Sequence, residues 1–380
     1  MKKVGIITIF KAGNFGAELQ SFALQRAMHN LGYDAEIIDY PFYKNYKFRY
    51  TKQAQAKHYV PFLLSVKEKL LILKSFILRK IYFKEYKIWM KKIEDFHREN
   101  TRMSSEEYLS VSELYSNNFN YDAYCVGSDQ VWNPHNIVDM GPYFLSFAPK
   151  DRLKFSYASS FGVSSIDDRS KKVYSDWLNN LDVISVREES GQQLVNNISN
   201  RNCSVVCDPT MLLDADEWRK IAKPIDGLPL KYVLVYELHR TPEVAQVAND
   251  IATKNNCCVV NICKDVRTTK IENVISISMA SPAEFVYLFS QANFVVTNSF
   301  HGTVFSVLFK KNFYTILKRG LSNNSRQIGL LEKLSLLDRL VYTDNINLSE
   351  SDIVWDNVFK ALLEIKMNSE SYIRNTIDLK

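Results

Sequence analysis

Cysteine is scarce, with six residues in 380: Cys125, Cys203, Cys207, Cys257, Cys258 and Cys263. Their spacings match no zinc pattern, and the adjacent Cys257 and Cys258 do not join one disulfide framework easily. Thiols buried in a reducing cytosol are the expectation. Long apolar runs are missing too. No stretch reaches the roughly 18 apolar residues of a membrane-crossing helix. The opening MKKVGIITIFK has a charged start and an apolar run, but that run is short and no small-residue cleavage site follows, so it reads as a first buried strand rather than a signal peptide. Internal repeats and low-complexity tracts are absent, which sets aside solenoid and disordered architectures.

What is present is a globular composition, 46% hydrophobic and 13% aromatic. The length exceeds what one compact core usually needs, so two domains are expected. The net charge of +6 is unevenly placed. Residues 41–102 hold 16 Lys and Arg against 5 Asp and Glu, a balance of +11; the remainder holds 32 against 37, a balance of −5. In that basic insertion Phe62, Val66, Leu70, Leu73, Ile77 and Ile81 recur at helical spacing. A basic amphipathic segment over residues 61–92 suits an anionic membrane surface; a solvated helix face covering a domain is the plainer alternative. Nucleic acid is not expected as a partner, because the basicity is confined to one insertion and no nucleic-acid-binding motif accompanies it.

Short apolar runs alternate with helical patterns along the chain. VGIITI, AEIIDY, AYCVGSD, KFSYASSF, VISVREES and SVVCDPTM form one series. YVLVYEL, CCVVNIC, VISIS, FVVTNS and NFYTIL form a second, after the linker-like AKPIDGLPLK. Alternation in two blocks predicts an α/β fold with two Rossmann-like parallel-sheet domains facing a cleft. The expected division is 1–225, with the basic insertion at 44–102, then 226–345, then a C-terminal helix in 346–380 that packs back on the first domain or on a partner.

In parallel sheets ligands gather at the carboxyl ends of strands. Four segments put polar residues there. In FKAGNFGAELQ, Gly13, Asn14 and Gly16 lie between strand and helix, where backbone N–H groups and the helix dipole suit a phosphate; a tight turn is the plainer alternative. In CVGSDQVWNPH, Ser128, Asp129 and Gln130 follow a buried run, a costly cluster unless hydrogen-bonded or functional. Asp129 could take a hydroxyl proton and Trp132 could stack on a sugar, or Trp132 could be a core residue. In ISVREESGQQL, Arg187 offers a fork for a carboxylate or phosphate, unless Glu188 and Glu189 neutralise it. In TNSFHGTVFSVLFKK, Ser299 suits an N-cap, with Thr303 one turn on. His301 in the first turn sits at the positive end of the helix dipole, which favours a neutral imidazole poised for acid–base work. Lys318, Arg319, Asn324 and Arg326 follow the next strand and would suit an anionic substrate.

The segments GNFGAELQSFALQ, VGSDQVWNP, ISVREESG, DPTMLL, VVTNSFHGTVFS and NSRQIGLLEKL, in this order, resemble the polysaccharide pyruvyl transferase family over nearly the whole chain. The resemblance implies transfer of the pyruvyl group of phosphoenolpyruvate to two hydroxyls of one sugar of a bacterial surface or exopolysaccharide precursor, forming a cyclic ketal and releasing phosphate. It implies a fold similar to the B-type glycosyltransferases, no cofactor and no obligatory metal. In the family a histidine in this strand–helix motif serves the donor site; for this chemistry His301 reads as the general acid and Asp129 as the hydroxyl base. Arg187, Ser299, Thr303, Lys318 and Arg326 would serve the donor, and Asn14, Gly16, Ser128, Gln130 and Trp132 the acceptor. Some members carry an arginine just before the motif histidine; here Phe300 stands there, so the donor cation has to come from Lys318 or Arg326. The expected setting is cytoplasmic, with peripheral contact at the inner face of the cytoplasmic membrane, where a lipid-linked acceptor would be found.

Two other functions stay open at this point. One is a glycosyltransferase using a nucleotide sugar, although no acidic residue is convincingly placed for a ribose. The other is a non-catalytic glycan-binding or assembly protein on the same scaffold.

Overall fold

The computed structural model describes residues 1–49, 81–136, 138–263, 274–321 and 324–379. The chain divides into two compact units, Met1–Leu212 with Asn368–Lys380, and Leu213–Met367.

The first unit runs β1 (Lys3–Ile7), α1 (Phe15–Asn30), β2 (Asp34–Asp39), α2 (Phe83–Asn100), β3 (Met103–Glu107), α3 (Val111–Ser116), β4 (Ala123–Val126), β5 (Leu153–Ser156), α4 (Asp168–Asn179), β6 (Ser185–Val186), α5 (Glu189–Ser199) and β7 (Ser204–Val205). Five strands pair in the order β3-β2-β1-β4-β5, and β6 pairs with β7. Single bridges Phe155–Val183 and Ser159–Val186 carry the sheet across to that pair. All named pairings are parallel. β1 and β4 are apolar because helices cover both faces of a parallel sheet. β3, with sequence MSSEE, carries no apolar pattern because it is a half-exposed edge strand.

The second unit runs α6 (Ala215–Ile221), β8 (Tyr232–Tyr236), α7 (Pro242–Lys254), β9 (Cys258–Ile262), β10 (Val274–Ile277), α8 (Pro282–Gln291), β11 (Phe294–Thr297), α9 (Phe300–Leu308), β12 (Asn312–Leu317), α10 (Ser325–Lys333) and β13 (Leu340–Tyr342). Its six strands, all parallel, take the order β10-β9-β8-β11-β12-β13. α11 (Trp355–Ile377) follows, and its residues from Asn368 onward belong to the first unit. There Ser369 Oγ accepts from the Cys207 backbone N–H, and the Tyr372 hydroxyl donates to Ser156 O.

The division falls at Leu212/Leu213, ahead of the proline-bearing 222–231 stretch expected as linker. The reason is packing: α6 buries Trp218 fully, with its ring 4.9 Å from Phe305 of the second unit. The six cysteines are all free thiols. Burial pushes Cys203 and Cys207 up to about 11, so neither is a ready nucleophile. Of the basic segment 61–92, residues 61–80 lie outside the described residues. No described helix is long and apolar enough to cross a membrane.

Candidate active site

Each sheet reverses its winding once, between β1 and β4 and between β8 and β11, and polar residues crowd both places.

At the first reversal, Gln20 of α1 ties the strand ends together. Its Nε2 donates to Thr8 Oγ1 (2.9 Å) and Ile9 O (3.1 Å), and its Oε1 accepts from Ser128 N (3.0 Å). Ser128 is fully buried and its hydroxyl donates to Ala158 O. Asn14 is the N-cap of α1, its Oδ1 accepting from Gly16 N and Ala17 N. The phosphate expected at this loop is displaced by a residue that composition does not point to. The buried Glu18 carboxylate accepts from the backbone N–H groups of Lys11 (2.8 Å), Ala12 (2.8 Å) and Gly13 (3.2 Å), and from His97 Nε2 (2.7 Å). The loop already holds an anion, its own. Beside it the Lys11 ammonium is buried against Asp39 (2.6 Å) and Glu107 (3.0 Å). Burial outweighs Lys11 in setting Asp39, whose carboxyl is raised above its ordinary range.

Trp132 is not a sugar platform. It is fully buried, stacked on Phe144 at 5.2 Å between ring centres, and its indole N–H donates to Tyr143 O. Gln130 is half-buried and its Oε1 accepts from Asn133 Nδ2. Asp129, at the end of β4, has a left-handed φ of 65° and a side chain 15% exposed. It meets Arg187, from the end of β6, at 3.5 Å. Arg187 is therefore not held ready for a donor anion. Its guanidinium is 2% exposed and faces three carboxylates: Asp208 at 2.6 Å, Asp129 at 3.5 Å and Glu188 at 3.6 Å. Burial alone would weaken its charge, but these carboxylates more than offset that and hold it above its ordinary range. Asp208, at the end of β7, was legible only as part of the DPT motif; an aspartate ending a buried run just before a proline is the signal that could have singled it out.

At the second reversal, Asn298 spans the two strand ends. Its Oδ1 accepts from Leu238 N (2.8 Å), and its Nδ2 donates to His239 O (2.7 Å) and Thr241 Oγ1 (3.1 Å). Ser299 is the N-cap of α9, its Oγ accepting from Gly302 N. The Thr303 hydroxyl donates to Ser299 O and pairs with Thr315 Oγ1 (2.8 Å), fully buried. Both hydroxyls shape the helix start rather than wait for a donor. Gly302 is required by close approach, since a Cβ there would run into the Thr297 side chain. These contacts place His301, 8% exposed, in the first turn of α9 at the carboxyl end of β11. The Phe300 ring lies edge-on to its imidazole at 5.3 Å, and the Arg326 guanidinium sits 5.9 Å from that same ring. Lys318 is exposed after β12, and Asn324 Nδ2 donates to its carbonyl (2.7 Å). Arg319 is engaged by Asp344 and lies over Tyr342.

The structure thus places Ser299, His301 and Thr303 at the start of α9, with Arg326 over the neighbouring Phe300 ring, and pairs Asp129 with Arg187 in the first unit. Two doubly wound parallel sheets with charge and imidazole at their strand ends define a Rossmann-type α/β fold of the two-domain class seen in B-type glycosyltransferases. The UDP-GlcNAc 2-epimerase from Methanocaldococcus jannaschii aligns with a TM-score of 0.50 at 11% identity, covering 98% of each chain. MurG from Acinetobacter baumannii aligns with a TM-score of 0.43 at 9% identity, covering 100% of each. At these identities the epimerase likeness speaks to fold alone. No curated protein matches the sequence. The polysaccharide pyruvyl transferase family model matches residues 14–317, and the chain belongs to that family of transferases.

Proposed function

We propose that this enzyme takes the pyruvyl group from phosphoenolpyruvate and places it across two hydroxyls of one sugar in a surface or exopolysaccharide precursor. The observation that carries the reading is the position of His301 in the first turn of a nine-residue helix at a strand end, with Arg326 and Lys318 on neighbouring segments. His301 protonates the donor's methylene carbon while a sugar hydroxyl attacks the adjacent carbon. The bond from that carbon to the phosphate oxygen breaks, and the second hydroxyl closes the ketal. One hydroxyl hydrogen is matched by the new methyl hydrogen, and the other leaves with phosphate. Lys318 and Arg326, with the helix dipole, serve the donor's carboxylate and phosphate. Asp129 accepts a hydroxyl proton from the acceptor. With Glu188 and Asp208 it makes three carboxylates around one guanidinium, a net negative cluster that suits a neutral sugar and repels the anionic donor.

Calorimetric binding of phosphoenolpyruvate and of a nucleotide-sugar panel, to the wild type and His301→Ala, tests this. Saturable binding of phosphoenolpyruvate alone, weakened by the substitution, is expected. Binding of a nucleotide sugar instead would move the assignment to glycosyl transfer.

The same proposal includes peripheral contact with an anionic bilayer. The exposed face of α2 carries Phe83 and Ile88 among Lys84, Lys87, Lys91 and Lys92. Co-sedimentation with anionic liposomes at low salt is the check, and failure to bind there removes the contact.

A further inference from the structure

We propose that Asp208 is a positioning residue for the acceptor-side base: it anchors Arg187, and Arg187 in turn orients the Asp129 carboxylate. The inference rests on the pyruvyl-transfer reading and assigns a residue to the half of the reaction in which hydroxyls must lose protons.

The chain of contacts joins the ends of β4, β6 and β7, crossing β5. Asp208 is fully buried, and its position is set locally. Its Oδ1 accepts from Thr210 N (3.0 Å) and Thr210 Oγ1 (2.6 Å), capping the short turn Pro209–Met211. That leaves Oδ2 to accept from Arg187 Nη1 at 2.6 Å, the shortest contact the guanidinium makes with the three carboxylates. The Arg187 backbone is fixed as well, its N–H donating to Ser159 O. With both ends held, Nη2 is the arm that reaches Asp129 Oδ1 at 3.5 Å. Asp129 answers from a backbone locked by two bonds, Val131 N and Ser160 N both donating to its carbonyl at 2.9 Å. Its left-handed φ lets the side chain cross β5 toward β6. No described residue hydrogen-bonds to Asp129 Oδ2, so one oxygen is oriented by Arg187 and the other is available to a sugar hydroxyl. A single contact of 3.5 Å to Oδ1 leaves Oδ2 open, whereas a bidentate pair would occupy both oxygens.

The charged groups facing Asp129 are Arg187 directly, with Asp208 and Glu188 on its far sides. This geometry predicts opposite responses to two substitutions. Removing the cation, Arg187→Gln, leaves Asp129 among like charges and moves the acid limb of the kcat profile to higher pH by about one unit. Removing the anion, Asp208→Asn, leaves Arg187 less neutralised and moves that limb to lower pH. It also lowers kcat by about tenfold or more through lost orientation. KM for phosphoenolpyruvate stays unchanged in both, because the donor is held elsewhere.

The experiment follows phosphate release from phosphoenolpyruvate across pH, with a panel of p-nitrophenyl hexosides as acceptor probes. It compares the full-length wild type, Asp208→Asn, Arg187→Gln and Arg187→Lys. Limbs that move in opposite directions, with Arg187→Lys restoring the wild-type position, support the proposal. A raised KM for phosphoenolpyruvate with an unmoved limb overturns it and returns Arg187 to the donor. If Asp208→Asn does not fold, Asp208→Glu takes its place: it keeps the anion but displaces it, so a lowered kcat with the limb near its wild-type position supports the proposal, and an undiminished kcat overturns it. Wild-type phosphate release with unmoved limbs sinks this inference alone, whereas no release from the wild type with any probe sinks the pyruvyl-transfer reading and this inference together.

Discussion

The two units share one strand order, with three strands wound one way from the centre and the rest wound the other, yet they spend charge differently. The first buries its ions at the strand ends and neutralises them internally, Lys11 against Asp39 and Glu107, Arg187 against Asp208, Asp129 and Glu188. The second lines the same place with hydroxyls, an amide and an imidazole, and keeps Lys318 and Arg319 on the outside. Topology fixes where a ligand is met, and side-chain bookkeeping fixes which ligand is tolerated. A unit that has consumed its cations suits a neutral acceptor, and one with cations at its rim suits an anion.

Four substitutions sharpen or break that contrast. His301→Ala, in the second unit, should lower kcat by about a hundred- to ten-thousand-fold with the fold intact by circular dichroism; phosphate-release kinetics measure it, and an undiminished rate would leave the second unit without its chemistry. Trp132→Ala, in the first, should cost about 3–5 kcal/mol in urea unfolding, the cost of a core aromatic. Lost acceptor affinity at unchanged stability would instead make the indole a ligand contact. Gly302→Ala should destabilise by about 1–3 kcal/mol, because α9 must lift from β11 to admit a methyl group. Thermal denaturation reads this, and an unaltered melting point would mean the approach is looser than it looks. Lys318→Ala should weaken phosphoenolpyruvate binding by about 1 kcal/mol or less, with the difference shrinking as salt is added; calorimetry at two ionic strengths decides, and an effect on acceptor affinity alone would reverse the division of labour.

Much of the fold was legible because buried parallel strands read as apolar runs, and all eleven runs singled out became strands. β3 and β13 were not, one a polar edge strand and the other three residues long. The strand-end positions of Asp129, Arg187 and His301 followed from the same alternation. What lay beyond the sequence was partnership. Arg187 looked like an open fork because its strongest partner, Asp208, stands 21 positions away on another strand. Trp132 sat inside a polar string, and nothing local tells that its ring turns inward onto Phe144. Ser299 and Thr303 were correctly placed at a helix start, but whether a hydroxyl caps or waits depends on Thr315 across the sheet.

Glu18 has a consequence for inhibition by small ions. Its carboxylate is tethered only five to seven residues along the chain from the N–H groups it satisfies, so its effective local concentration exceeds anything a free ion reaches in solution. Inorganic phosphate or sulfate added to an assay cannot compete for that loop. Any competition such ions show against the donor would therefore report on the second unit, and a simple salt titration becomes a probe of one domain at a time.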